Sequence, residues 1–356
     1  MTTTTNDVTG GVDTHRDTHH AAALDAVGQL LGTREFPAGP AGYRQLLAWL
    51  ESFGTVTRIG VEGTGCYGAG LTRFLRRQHL RVLEVNRPDR RSRRRRGKLD
   101  PLDAESAARR ALAGEDRVEP KDTTTIVEAI RVLRIARNGA VKSRTAAYNQ
   151  LKDLVLTAPE DLRETLRGKT LPRVATESAR LRPDTTRLAD PTHATKLALR
   201  SIAARIAALN SEVAALDKEL RQLVTRAAPR TLSLLGVGPD HAAQLLITAG
   251  ANPDRLHSEA AFAALCAASP IPASSGKTTR HRLNRAGGDR DANRALYMII
   301  VTRLRYCPDT QAYIKRRMTE GLTKPEAIRC VKRYVARQAY HAIRAELAAA
   351  NPLDAP

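Results

Sequence analysis

The chain of 356 residues carries 58 Lys and Arg against 37 Asp and Glu, a formal net charge of +21. Hydrophobic residues at 42% and charged residues at 27% sit near globular averages, which excludes a mostly disordered chain. The longest apolar run, Ala260 to Ala268, is well short of the roughly 18 residues of a membrane span. The partner expected for so cationic a surface is a polyanion, nucleic acid first, because each phosphate neutralised releases condensed counterions. An arginine-rich genome explains Arg over Lys but not basic over acidic. Aromatic residues make up only 4%, so contacts to backbone phosphates should outweigh rows of stacked bases. The start, MTTTTNDVTGG, lacks the features of a signal peptide, and a cytoplasmic, nucleoid-associated protein is expected. Cys66, Cys266, Cys307 and Cys330 lack C-x-x-C spacing and read as reduced thiols.

Three short strands are expected first, at Val8–Asp13, Thr18–Leu24 and Gln29–Phe36, the last two joined by a turn at 25–28. An amphipathic helix opens at Pro40, followed by a strand at Thr57–Glu62, a helix near Leu71–Arg77 and a strand at Arg81–Val85. An antiparallel meander followed by alternating strands and helices predicts one mixed α/β domain over residues 1–115. After Asp100 the strand signal stops. Helices are expected at Pro101–Leu112 and Thr125–Leu156, and the segment 159–191 is broken by proline and glycine into short pieces. Leu199, Ile202, Ile206, Leu209, Val213, Leu216, Leu220 and Leu223 alternate spacings of 3 and 4. That is a heptad seam predicting a coiled coil over about 196–226, within a helical connector spanning 116–228, the alternative being one helix packed on its own domain. A mostly helical domain follows over 229–356. It opens on Leu234-Leu235-Gly236-Val237-Gly238-Pro239, which looks like a helix-hairpin-helix turn.

Four acids stand out in the first domain. Asp13 ends the first strand and Glu62 the fourth, and ligands of open α/β sheets gather beyond the carboxyl ends of strands. Asp100 and Asp103 lie three apart at a helix start, which puts both on one side of it. Four oxygen donors around one pocket suit Mg²⁺, or Mn²⁺, and such ions assist phosphodiester chemistry. Arg87, Arg90, Arg91, Arg93, Arg94, Arg95, Arg96 and Lys98 come immediately before Asp100, and would deliver phosphates to the acid cluster. His15, His19 and His20 read as surface strand histidines, and Asp17 as an acid outside the cluster.

The stretches GVDTHRDTHHAA, VEGTGCYGAGL, VNRPDRRSRRRRGK and KLDPLDAESAARR together resemble the DEDD-type transposases of the insertion sequence one-ten family. Some members are known as bridge-RNA-guided recombinases. The resemblance implies an RNase H-like, RuvC-like domain whose four acids are Asp13, Glu62, Asp100 and Asp103. Leu99 departs from the small polar residue usual before the third acid. A later stretch, SPIPASSGKTTRHRLNRAGGDRDANRALYMI, resembles the same family's C-terminal domain, and implies that Ser275, just before the glycine, is a nucleophile. Ser274 leaves room for a slip of one residue. Lys277, Arg280, His281, Arg282 and Arg285 surround it with groups able to orient a phosphate.

The implied activity is DNA transposition or recombination, with double-stranded DNA as substrate, a structured noncoding RNA as partner, and a homo-oligomer, dimer or tetramer, assembled through the coiled coil. A metal-dependent, structure-selective endonuclease would need the acids but not Ser275. A noncatalytic nucleic-acid scaffold would need neither.

Overall fold

The computed structural model describes residues 6–85, 100–114, 118–252, 256–276, 281–283 and 287–350. Contacts divide the chain into one unit of residues 1–124 with 250–255, and another of 125–249 with 256–356. The connector and C-terminal segments expected as separate domains share this second unit.

The first unit is built on a five-stranded sheet, with β1 (Asp7–Thr14), β2 (Thr18–Leu24), β3 (Leu30–Pro37), β4 (Thr55–Glu62) and β5 (Val82–Val85). Each strand falls within two residues of its expected limits. The spatial order is β3-β2-β1-β4-β5; β3, β2 and β1 run antiparallel, and β4 and β5 run parallel to β1. Helices α1 (Pro40–Glu51) and α2 (Ala69–Arg77) bury Leu46, Leu50, Leu71 and Leu75 against Val8, Val12, Ile59 and Val61 on one face. The opposite face receives α3 (Asp100–Ala113), where Ala104 and Ala108 pack on Ala22 and Leu24.

The approach of α3 is unusually close. A Cβ built on Gly11 would lie 2.1 Å from the Ala108 nitrogen and 2.3 Å from the Ala104 carbonyl oxygen, and one on Gly60 would lie 2.6 Å from the Ala107 oxygen. Only glycine on the strands and alanine on the helix allow the two backbones to meet in this way.

In the second unit α4 (Ile126–Leu156) and α7 (Pro191–Ala227) form a long antiparallel hairpin, with α5 (Glu160–Leu166) and α6 (Leu171–Ala179) between them in sequence. Arg137 bonds Asp217 at 2.6 Å, Arg144 bonds Asn210 at 3.1 Å, and Gln150 accepts from Arg205, so numbers rise on one helix as they fall on the other. The heptad seam is therefore used within the chain. Leu199, Ile206, Val213 and Leu220 are buried, while Ile202, Leu209, Leu216 and Leu223 are half-buried. By that register Ala140 and Ala147 of α4 lie level with Val213 and Ile206, small residues against large, which makes α4 a suitable partner for the seam.

Beyond α8 (Pro229–Leu232), α9 (Pro239–Ala249) and α10 (Glu259–Leu265), a two-stranded ribbon of β6 (Pro270–Pro272) and β7 (His281–Leu283) precedes α11 (Arg290–Tyr306), α12 (Pro308–Thr319) and α13 (Lys324–Ala350). Asp289 caps α11 through the Asp291 nitrogen at 2.8 Å, and accepts from Gln244 at 2.8 Å and Thr248 at 2.7 Å, tying α9 to α11. In the glycine turn at 234–239, Gly236 has φ +83°, and a Cβ there would lie 2.9 Å from the Ile299 carbonyl oxygen.

Gly11→Ala should destabilise the first unit by about 1–3 kcal/mol or more, since backbone atoms must move to admit the methyl group. Fluorescence of Trp49, which packs on Phe36 and Phe53 in this unit, gives the denaturation midpoint. Gly139→Ala, mid-helix with nothing within 4 Å, should instead stabilise α4 by about 0.5–1 kcal/mol, measured by circular dichroism.

Candidate functional site

Strand periodicity turns the close approach of α3 into a site. Asp13 lies two residues beyond Gly11 and Glu62 two beyond Gly60, so both acids share the face on which α3 sits. β1 and β4 run parallel in register through Val12 and Val61, and the next step along sets Asp13 beside Glu62. Because α3 crosses those glycines through Ala104, Ala107 and Ala108, its first turn, with Asp100 and Asp103, lies toward the same strand ends. The Thr14 hydroxyl donates to the Glu62 carbonyl oxygen at 2.8 Å, linking the two strand ends. At Gly63 the chain turns away with φ +69°, where a Cβ would lie 3.0 Å from the Thr14 hydroxyl oxygen.

Asp13, Glu62 and Asp103 are buried, and Asp100 is half-exposed. Burial pushes the Asp13 carboxyl above the usual carboxylate range; nearby His15 opposes this, and the charges of Asp103 and Asp100 reinforce it. Asp13 thus responds electrostatically to Asp103 and Asp100 of α3.

The histidines differ from expectation. His19 is wholly buried and stacked on Tyr43 with ring centroids 5.6 Å apart, and burial lowers its pKa. His15 and His20 join the acids instead. His15 Nε2 lies 3.1 Å from Asp13 and 3.4 Å from Asp100; His20 Nε2 lies 3.1 Å from Glu35 and 3.9 Å from Asp100. The cause is register: the backbone turn from His15 to Thr18 pairs Asp13 with His20, and β2 pairs His20 with Glu35. Glu35, His20, Asp13 and Glu62 consequently form a row across four adjacent strands. The tight turn after Thr14 was the sequence signal that could have located His20 and Glu35. Asp17, in that turn, is strongly exposed and outside the cluster.

Asp13, His15 and Asp100 each present a donor atom, and all three lie within 4.8 Å of one another. Two carboxylate oxygens and an imidazole nitrogen, with further carboxylates close by, fit a divalent cation.

Ser275 belongs to the second unit. It is exposed in the loop joining β6 and β7, followed by Gly276 at φ +55°, and Ser274 beside it is also exposed. Arg282 is exposed on β7. Arg87, Arg90, Arg91, Arg93, Arg94, Arg95, Arg96 and Lys98, together with Lys277, Arg280 and Arg285, lie outside the described residues. The cysteines are free, and no described helix is long and apolar enough to cross a membrane.

Comparison with curated proteins returns no match. A DEDD transposase model of the IS110 type matches residues 10–158, a span holding all four acids, and a model described as transposase IS116/IS110/IS902 family matches residues 228–315, which include Ser275. Two separate segments thus point to one group, and the chain belongs to the IS110 family of DEDD transposases.

Proposed function

We propose that this protein cleaves and rejoins DNA at the ends of an insertion sequence and at its target, using the acid cluster to hold Mg²⁺ or Mn²⁺ and Ser275 as nucleophile. The observation that carries the reading is the convergence of the acids of two parallel strand ends and of α3, three of them buried, in a family of transposases. The strand order, three antiparallel strands followed by two parallel ones, fits an RNase H-like fold. Asp13, Glu62, Asp100 and Asp103 are the proposed cation ligands, with His15 added by geometry. A bound divalent cation supplies charge stabilisation to a phosphodiester transition state.

In the serine step, the Ser275 oxygen bonds to phosphorus as the bond from phosphorus to a deoxyribose oxygen breaks, and the serine proton passes to that leaving oxygen. A hydroxyl end of another strand then attacks the same phosphorus and displaces the serine. The number of phosphodiester bonds is conserved, so no nucleotide hydrolysis is needed. A noncoding bridge RNA as guide is the reading suggested by family resemblance, and the net charge of +21 suits such a polyanion. Assembly into a dimer or tetramer is supported by exposed apolar side chains on the hairpin: Val132 and Ile135 of α4 are 51% and 57% exposed.

Because burial makes folded Asp13 hold its proton more tightly than the unfolded chain does, ionising it costs folding stability. That cost is absent below the ordinary carboxylate range and grows as pH rises through the raised value of the folded protein. Asp13→Asn should therefore raise the melting temperature of metal-free protein at neutral pH, while abolishing both strand cleavage and the further rise that Mn²⁺ gives the wild type. An equal Mn²⁺-induced rise in the two proteins would refute the metal assignment.

With a nicked suicide substrate, wild-type protein should become covalently attached to a DNA strand, the adduct surviving denaturation but not proteolysis. Ser275→Ala should lose the adduct and recombination together while keeping salt-sensitive DNA binding. Free ends and no adduct would favour a nuclease, and an adduct mapped to Ser274 would shift the assignment by one. In light scattering, Val132→Asp with Ile135→Asp should convert an oligomer to a folded monomer; wild-type protein that is monomeric both alone and on nucleic acid would overturn the assembly reading.

A further inference from the structure

In the second unit, α12, α13 and the β6–β7 ribbon enclose a cavity of about 510 Å³. Its floor is one face of α13, where Glu326, Arg329, Cys330, Arg333 and Tyr334 follow the i, i+3, i+4, i+7, i+8 spacing at which a helix normally presents apolar residues to its own domain. Here the stripe is cationic and aromatic. Tyr313 and Arg317 of α12 form a second wall, and Pro270, His281 and Arg282 of the ribbon a third.

The field inside is positive. Four arginines line the cavity against one glutamate; Glu326 accepts from the Thr323 nitrogen at 2.9 Å and hydroxyl at 2.6 Å and lies 3.5 Å from Arg329, and Arg317 pairs with Glu320, so Arg282 and Arg333 supply most of the positive field. Arg333 donates to the Glu259 carbonyl oxygen, a neutral acceptor, at 3.0 Å, and has no carboxylate partner among the described residues. Tyr334 is 54% exposed and meets Tyr313 edge-on at 5.6 Å, which leaves part of a large aromatic side chain open to the cavity. The ribbon wall also leads to the candidate serine: β6 ends at Pro272, which pairs with His281, and Ser275 follows three residues beyond it.

We propose that this cavity receives one unpaired nucleotide of a DNA strand, its base laid on Tyr334 and its flanking phosphates held by Arg282, Arg329 and Arg333; its place beside the scissile phosphate rests on the strand-transfer reading of Ser275. The volume lies within the range of small-molecule sites and admits a single nucleotide, not a duplex. A base offers a π face to a side chain only when it is out of the helical stack, and such contacts tolerate any sequence.

The test is photo-crosslinking of the full-length protein to a single-stranded oligodeoxynucleotide bearing 5-iododeoxyuridine, with the attachment point mapped by peptide mass spectrometry. Crosslinks are expected on Tyr334 or Tyr313. Tyr334→Ala should lower their yield about tenfold or more, Tyr334→Phe should keep it, and Arg329→Ala should weaken capture of the strand with the base contact unchanged in kind; circular dichroism checks that each variant is folded. Crosslinks confined to other surfaces, unchanged yield in folded Tyr334→Ala, or marking of Tyr334 by the matching 5-iodouridine RNA in preference to DNA would each overturn the proposal. Ser275→Ala should crosslink as wild type does. A Tyr334 crosslink without any serine adduct in the wild type would retire the strand-transfer reading but retain the nucleotide site, whereas an adduct without the crosslink would do the reverse.

Discussion

The contact on which the first unit depends is that of α3 with the middle of the sheet, made with no side chain between the backbones at Gly11 and Gly60. Layers held apart by ordinary aliphatic side chains stand about 10 Å from each other, as stacked sheets do; glycine on the strands and alanine on α3 narrow that gap. Lowering the helix brings its first turn down beside the strand ends, so acids on short side chains can reach a common point. The same pairing fixes the face, because a residue two places after a glycine necessarily points the way the glycine's missing side chain would. Packing and chemistry are therefore one feature of the sequence, written twice as glycine, valine, acid, in Gly11-Val12-Asp13 and Gly60-Val61-Glu62.

Such a cluster opposes folding as well as enabling function. Three of its four acids are buried, and Asp13 feels the charges of Asp103 and Asp100 on α3, with His15 as the nearby group that favours its charged form. Stability is held elsewhere in the unit, in the aliphatic layer under α1 and α2, where Leu46, Leu50, Leu71 and Leu75 are fully buried. The two faces of one sheet thus have different tasks.

Much of this was legible from residue patterns. Alternation and turn residues place the strands of the sheet, because each strand there is short and bounded by glycine, proline or asparagine-like signals, and the four acids stand at strand or helix ends where chain direction alone locates them. The histidines were misread because their environment depends on pairing rather than on local sequence: His19 and His20 are adjacent, yet one faces Tyr43 and the other faces Asp100. The heptad seam was visible, but which helix would fill it was not, since Ala140 and Ala147 sit in a different segment that has no heptad of comparable strength. The cavity beside the serine ribbon was invisible for a similar reason, as it is made by three elements whose residues are ordinary surface types when taken singly.

The hairpin of α4 and α7 has a consequence for how this chain tolerates change. Toward its base Arg137 pairs with Asp217 of α7, and Arg134 and Arg137 also pair with Asp240 of α9; its far end carries the short helices α5 and α6. Thirty-one helical residues at about 1.5 Å each make an arm of about 46 Å. Every cross-link along it obeys one antiparallel register, so removing residues from one helix alone would misalign every bond between the cut and the tip. Loss or gain of seven residues from both helices at once would instead change the reach by about 10 Å while restoring each contact to an equivalent one. The arm is in that sense a measuring rod graduated in heptads, and its length can drift only in matched steps.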